Sequence, residues 1–104
     1  MVLVLPPLKR KKQKQYIMDL KNAVVIDVRT VEEFRMGNVP GSLNIPLDSI
    51  PDRLAEIKEL NGPLIICCAS GARSNAACGY LHKNGITDIY DGGPWTVVNS
   101  HMNN

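Results

Sequence analysis

Cys67 and Cys68 stand side by side at the end of the apolar run LIICC, and a third cysteine, Cys78, follows in an alanine-rich segment. After Cys68 come Ala69, Ser70, Gly71 and Ala72, none with a bulky side chain, and then Arg73 and Ser74. Small residues let the backbone curl until successive N–H groups converge on an anion-binding hollow. A helix that follows turns the positive end of its dipole and its unpaired N–H groups to the same place. The planar guanidinium of Arg73 is shaped for an oxyanion. A thiol held in such a field loses its proton more readily and becomes a nucleophile. The pattern therefore predicts an activated cysteine in an anion cradle. Sulfur transfer and phosphoryl transfer both fit, and they call for loops of different size.

Such a cradle belongs at the carboxyl end of a buried strand that feeds a helix, where ligands gather in open α/β sheets. The elements are present. Ala23 to Val28 and Pro63 to Cys68 are apolar, β-branched runs suited to strands buried on both faces. SLNIP at Ser42 to Pro46 and ITDIYDGG are further strand candidates. Helical spacing is read over Lys9 to Leu20, over Ile50, Leu54, Ile57 and Leu60, and over Ser74 to Lys83, with Gly85 suited to a left-handed C-cap. Thr30 with Glu33 forms a capping box before VEEFRM. Strands alternating with helices predict an α/β fold: a mostly parallel sheet of about four to five strands with helices on both faces.

Composition narrows the function. With 104 residues the chain suits one domain, expected over 1–104, with a single core. The formal charge is +2, but Lys9, Arg10, Lys11, Lys12 and Lys14 supply five of the twelve basic residues, leaving seven against ten acidic ones. The basicity is local, with no stacking aromatics interleaved, so it reads as a solvated helix face and neither nucleic acid nor membrane is expected as a partner. Three cysteines, two of them adjacent, do not make a disulfide framework; reduced thiols and a cytoplasmic location are expected. The opening MVLVLPP is too short for a signal h-region, and no segment has the length to span a bilayer. His82 and His101 have no companions at ligand spacing and are expected on the surface.

The strings VVIDVRTVEEFRMGNVPGSLNIPL and LIICCASGARS, with DGG and Trp95 after them, resemble the single-domain rhodanese (thiosulfate sulfurtransferase) family over nearly everything from Ala23 to Trp95. The residues that carry the resemblance are Asp27 and Arg29, Glu33 and Phe34, Gly37 to Ser42, and Cys68, Gly71, Arg73 and Ser74. It implies a rhodanese-like fold and selects Cys68, because counting from Cys68 to Arg73 gives the six-residue loop of sulfurtransferases. Counting from Cys67 gives the longer loop of related phosphatases, with the glycine misplaced. By this resemblance, Cys68 takes the outer sulfur of thiosulfate or a similar anionic donor, forms a persulfide, and passes the sulfur to cyanide, a thiol or a protein acceptor. Ala69, Ser70, Gly71, Ala72 and Arg73 are expected to bind the substrate, Arg73 holding the departing oxyanion. Asp27, Arg29 and Ser74 are expected to brace the loop. Cys67 and Cys78 are expected in the core, Trp95 either at the pocket wall or in the packing, and Asn38 stands where the family has histidine. No cofactor or metal is implied, and a monomer is expected. A non-catalytic docking module and a small cysteine-dependent phosphatase are the competing readings.

Overall fold

The structure is a computed structural model that describes Leu3–Val4 and residues 22–102. The helix expected over Lys9 to Leu20, and the basic run in it, lie outside the described residues. Five strands, β1 (Leu3–Val4), β2 (Val24–Asp27), β3 (Leu43–Asn44), β4 (Leu64–Cys68) and β5 (Ile89–Pro94), form one sheet in the order β1-β5-β4-β2-β3. Every pairing is parallel. The most apolar strand, β4, is central, and all five of its residues are buried, as a strand covered on both faces must be.

Alternation along the strands divides the core in two. Ile26, Leu64, Ile66 and Cys68 point to one face, where Ile57, Ala77, Cys78 and Leu81 cover them; Val25, Ile65 and Cys67 point to the other, against Val98. The covering helices are α2 (Leu54–Lys58) and α3 (Ala72–Lys83) on the first face and α4 (Trp95–Met102) on the second. A short helix, α1 (Val31–Met36), follows β2; its Thr30–Glu33 capping box is formed in both directions. No helix among the described residues is long and apolar enough to cross a membrane.

Two departures from the periodicity have local causes. The segment around Ile50 runs as 3₁₀ turns at Leu47–Ser49 and Pro51–Arg53 before α2 begins. Pro51 has no N–H to give Leu47 an α-helical bond, so the chain closes shorter turns, Ile50 N–H to Leu47 O at 3.3 Å and Arg53 N–H to Ile50 O at 3.1 Å. Ile50 and Ile57 still reach the core. The second departure is a bulge: Ile66 pairs with Asp91 but Cys67 pairs with Gly93, leaving Gly92 as the extra residue. A Cβ at Gly92 would lie 2.6 Å from Val98 Cγ2 and 2.8 Å from Ile65 Cγ2, so only glycine fits there.

Candidate active site

The loop after β4 is shorter than the sequence suggested, because α3 begins at Ala72, two residues before the expected start at Ser74. Ala69, Ser70 and Gly71 alone make the turn. Gly71 has φ +113°, a conformation that side chains with a Cβ resist. It aims the Gly71 amide back at the sulfur of Cys68, N to Sγ 3.0 Å. The amide of Ser74 reaches the same sulfur at 3.3 Å, and that of Arg73 also faces it. The Cys68 thiol lies 3.5 Å from Ser74 Oγ, which donates onward to Gly71 O at 3.0 Å.

These contacts set the acidity of the sulfur. Burial is the largest single influence on Cys68 and opposes ionisation, but the hydrogen-bond contact with the Ser74 side chain and the hydrogen bonds from the Ser74, Gly71 and Arg73 amides together outweigh it. Its pKa lies below the ordinary thiol value. Cys67 has no such help. Burial, reinforced by the Asp27 carboxylate, pushes it up to about 12. Cys78 is pushed up to about 12 by burial, with Asp91 adding to the effect. All three thiols are free and buried.

Asp27 and Arg29 form a buried fork-to-fork pair, Nη2 to Oδ2 2.7 Å and Nε to both carboxylate oxygens at 3.0 Å. The guanidinium is then spread over three further partners. It donates to Gly37 O at 2.7 Å and Glu33 O at 3.3 Å, and lies 4.8 Å from the Trp95 ring centroid. Asn44 Nδ2 fixes the same turn, donating to the carbonyls of Asp27 and Arg29 at 3.1 and 3.0 Å. Asn38 donates from Nδ2 to Phe34 O at 2.9 Å, closing the end of α1.

The guanidinium of Arg73 meets a carboxylate inside the chain. Nη1 and Nη2 contact Glu33 Oε1 and Oε2 at 2.7 and 2.9 Å. Sequence reasoning placed Glu33 in the capping box and in the acidic-aromatic pair with Phe34, and gave it no contact with the Cys68 loop. Forty residues separate it from Arg73, and no local pattern joins the two. Asp91 was also missed; buried in the middle of β5, it accepts from Gly93 N–H at 3.0 Å and Asn75 Nδ2 at 3.4 Å, tying the bulge to α3. Beside Arg73 lies a cavity of ≈ 440 Å³ lined by Val28, Thr30, Pro46, Leu47, Asp48 and Arg73. These residues come from the carboxyl ends of β2, β3 and β4, where the sheet topology puts a ligand site. Trp95 does not line it, packing instead with the Val25, Ile65 and Cys67 cluster.

Fold and site together define a parallel α/β protein whose central strand delivers a cysteine into a ring of backbone amides. A family model described as a rhodanese-like domain matches residues 10–93, and the chain belongs to that family. Among curated relatives it is 38% identical over 71 residues to a sulfurtransferase of Allochromatium vinosum, the match covering 68% of this chain and 65% of that protein. It is 34% identical over 83 residues to the thiosulfate sulfurtransferase GlpE of Stutzerimonas stutzeri, covering 78% and 75%. With the first of these relatives the match thus spans a little under two thirds of the relative's length. The solved structure of a rhodanese with anions from E. coli superposes with a TM-score of 0.66 at 29% identity, over 72% of this chain and 89% of that one.

Proposed function

We propose that the protein is a sulfurtransferase that carries sulfane sulfur on Cys68 as a persulfide. The observation that supports this reading most directly is the convergence of the Gly71 and Ser74 amides on the Cys68 sulfur, at 3.0 and 3.3 Å. Donors aimed at a sulfur stabilise the thiolate before reaction and the terminal sulfur anion after it. The thiolate attacks the outer sulfur of thiosulfate or a similar donor, the sulfur–sulfur bond of the donor breaks, and the leaving group departs with the electron pair. A thiol, cyanide or a protein acceptor then takes the terminal sulfur and restores the thiolate. Ala69, Ser70, Gly71, Ala72 and Arg73 form the binding loop, Ser74 contacts the thiol through its hydroxyl and amide, and Asp27 with Arg29 braces α1 through Glu33 O and Gly37 O, the helix whose Glu33 side chain meets Arg73 of the loop. The free thiols fit a reducing compartment, the cytoplasm, and the protein is read as acting as a monomer within one domain.

Intact-mass measurement after incubation with a sulfane-sulfur donor tests this. The protein gains one sulfur atom, Cys67→Ser gains it as well, and Cys68→Ser does not. An adduct that persists in Cys68→Ser removes Cys68 from the role, and hydrolysis of an aryl phosphate without any adduct replaces sulfur transfer with phosphatase chemistry.

A further inference from the structure

Glu33 stands against Arg73 at the edge of the site and takes no part in the chemistry just described. Its carboxylate occupies both terminal nitrogens of Arg73. The same carboxylate accepts from Thr30 N–H at 3.2 Å and Thr30 Oγ1 at 3.1 Å, while its backbone carbonyl accepts from Arg29, itself locked on buried Asp27. Glu33 is therefore held in place from both ends. The Glu33–Arg73 side chains are 36% and 34% exposed, so the pair adds little to stability. Its consequence for a charged ligand is larger, because an oxyanion that would take the Nη1–Nη2 edge of Arg73 has to displace a carboxylate already fixed by four hydrogen bonds. The adjoining cavity offers no substitute. Among the described residues that line it, Arg73 is the only cation, Asp48 adds a further carboxylate, and Val28, Pro46 and Leu47 are apolar.

We propose that Glu33 is a specificity-determining residue that closes the Arg73 fork to dianions, so that the site draws sulfur from a donor of low charge, an alkyl hydropersulfide, in preference to thiosulfate. This rests on the reading of Cys68 as the sulfur-accepting nucleophile. The Cys68 thiolate attacks the outer sulfur of R–S–SH, the donor sulfur–sulfur bond breaks, and R–S⁻ leaves with the electron pair; the product is Cys68–S–SH, with charge and atoms conserved. The apolar wall of the cavity accommodates the alkyl group. Arg73, with help from Thr30, holds the Glu33 carboxyl at about 2, so the carboxylate keeps its charge throughout the neutral range.

The test compares single-turnover loading of Cys68, read by intact mass, from thiosulfate and from 2-hydroxyethyl hydropersulfide. Wild-type protein loads faster from the hydropersulfide. Its thiosulfate rate rises between about 20 and about 500 mM salt, because screening relieves like-charge repulsion, whereas a site steered by an open cation slows as salt is added. Glu33→Gln removes the charge and keeps a residue able to complete the capping box. It raises the thiosulfate rate relative to the hydropersulfide rate by about tenfold, the order expected for removing one negative charge several ångströms from a dianion at a solvated mouth. Faster loading of the wild type from thiosulfate, a thiosulfate rate that falls with salt, or an unchanged rate ratio in folded Glu33→Gln each overturns the proposal and leaves Cys68 sulfur transfer standing. The wild-type comparison and its salt dependence decide the matter if the variant does not fold. Absence of any adduct at Cys68 from either donor overturns the sulfur-transfer reading itself.

Discussion

Cys67 and Cys68 share a peptide bond and face opposite sides of the sheet, Cys67 packed in the cluster with Val98 and Cys68 held by the amides of Gly71 and Ser74. Because successive strand residues point to opposite faces, only one of two adjacent cysteines can stand under the helix that follows the strand. The returning loop belongs to α3, and Cys68 is on the α3 side.

The two thiols accordingly titrate far apart. With Cys67 pushed up to about 12 and Cys68 lowered from the ordinary thiol value, the alkylation rate climbs with pH to a midpoint that belongs to Cys68 and levels off above it. Wild type and Cys67→Ser show this midpoint below the ordinary thiol range, and Cys68→Ser loses it. A midpoint at or above that range in the wild type would mean that the amides around the sulfur do not outweigh its burial.

Gly71→Ala separates the loop from the fold. At φ +113° a Cβ costs about 1–2 kcal/mol in backbone strain, which leaves a domain of ordinary stability folded in the absence of denaturant. The amide it aims at Cys68 is displaced, so sulfur loading falls by about tenfold or more in protein that is still fully folded, while the urea midpoint drops by only about 1 M. Equal loss in both measurements would place the role of Gly71 in folding alone.

Breaking the buried pair does the reverse. Arg29→Met leaves the Asp27 carboxylate buried without its partner and removes the anchors on Gly37 O and Glu33 O. It costs about 3–5 kcal/mol in denaturant titrations. The double variant Asp27→Leu with Arg29→Met loses less than the two single changes added together, because no orphaned charge remains. Additive losses would show that the two residues act independently.

At the bulge, Gly92→Ala forces a methyl against Val98 and Ile65. Overpacking of this kind costs about 1–3 kcal/mol, visible as a lowered thermal midpoint. The companion change Val98→Ala makes room and restores part of the loss. No rescue by Val98→Ala would point to the backbone instead of the contact.

Much of this was legible in the residues themselves. The apolar runs at Val24–Asp27 and Leu64–Cys68, the Thr30–Glu33 box and the turn-forming residues after Cys68 are local signals, and each formed close to where the spacing put it. The helix around Ile50 was read too regularly, since the pattern of Ile50, Leu54, Ile57 and Leu60 reports which side is buried, not whether Pro51 permits α-helical hydrogen bonds. α3 was begun too late because Ala72 and Arg73 carry no N-cap signal; the left-handed Gly71 makes the start instead.

What the sequence determined alone is therefore the strand–loop–helix that delivers Cys68, because its causes act within a few residues: alternation, small side chains and a glycine at the turn. What only the tertiary structure decided is the electrostatic state of the mouth, where Glu33 and Arg73 meet across 40 positions, and, in the packing behind it, the stacking of Arg29 on Trp95. Such pairs exist because parallel strands bring distant loops to one edge of the sheet, and the register that does so is set by the packing of the whole core.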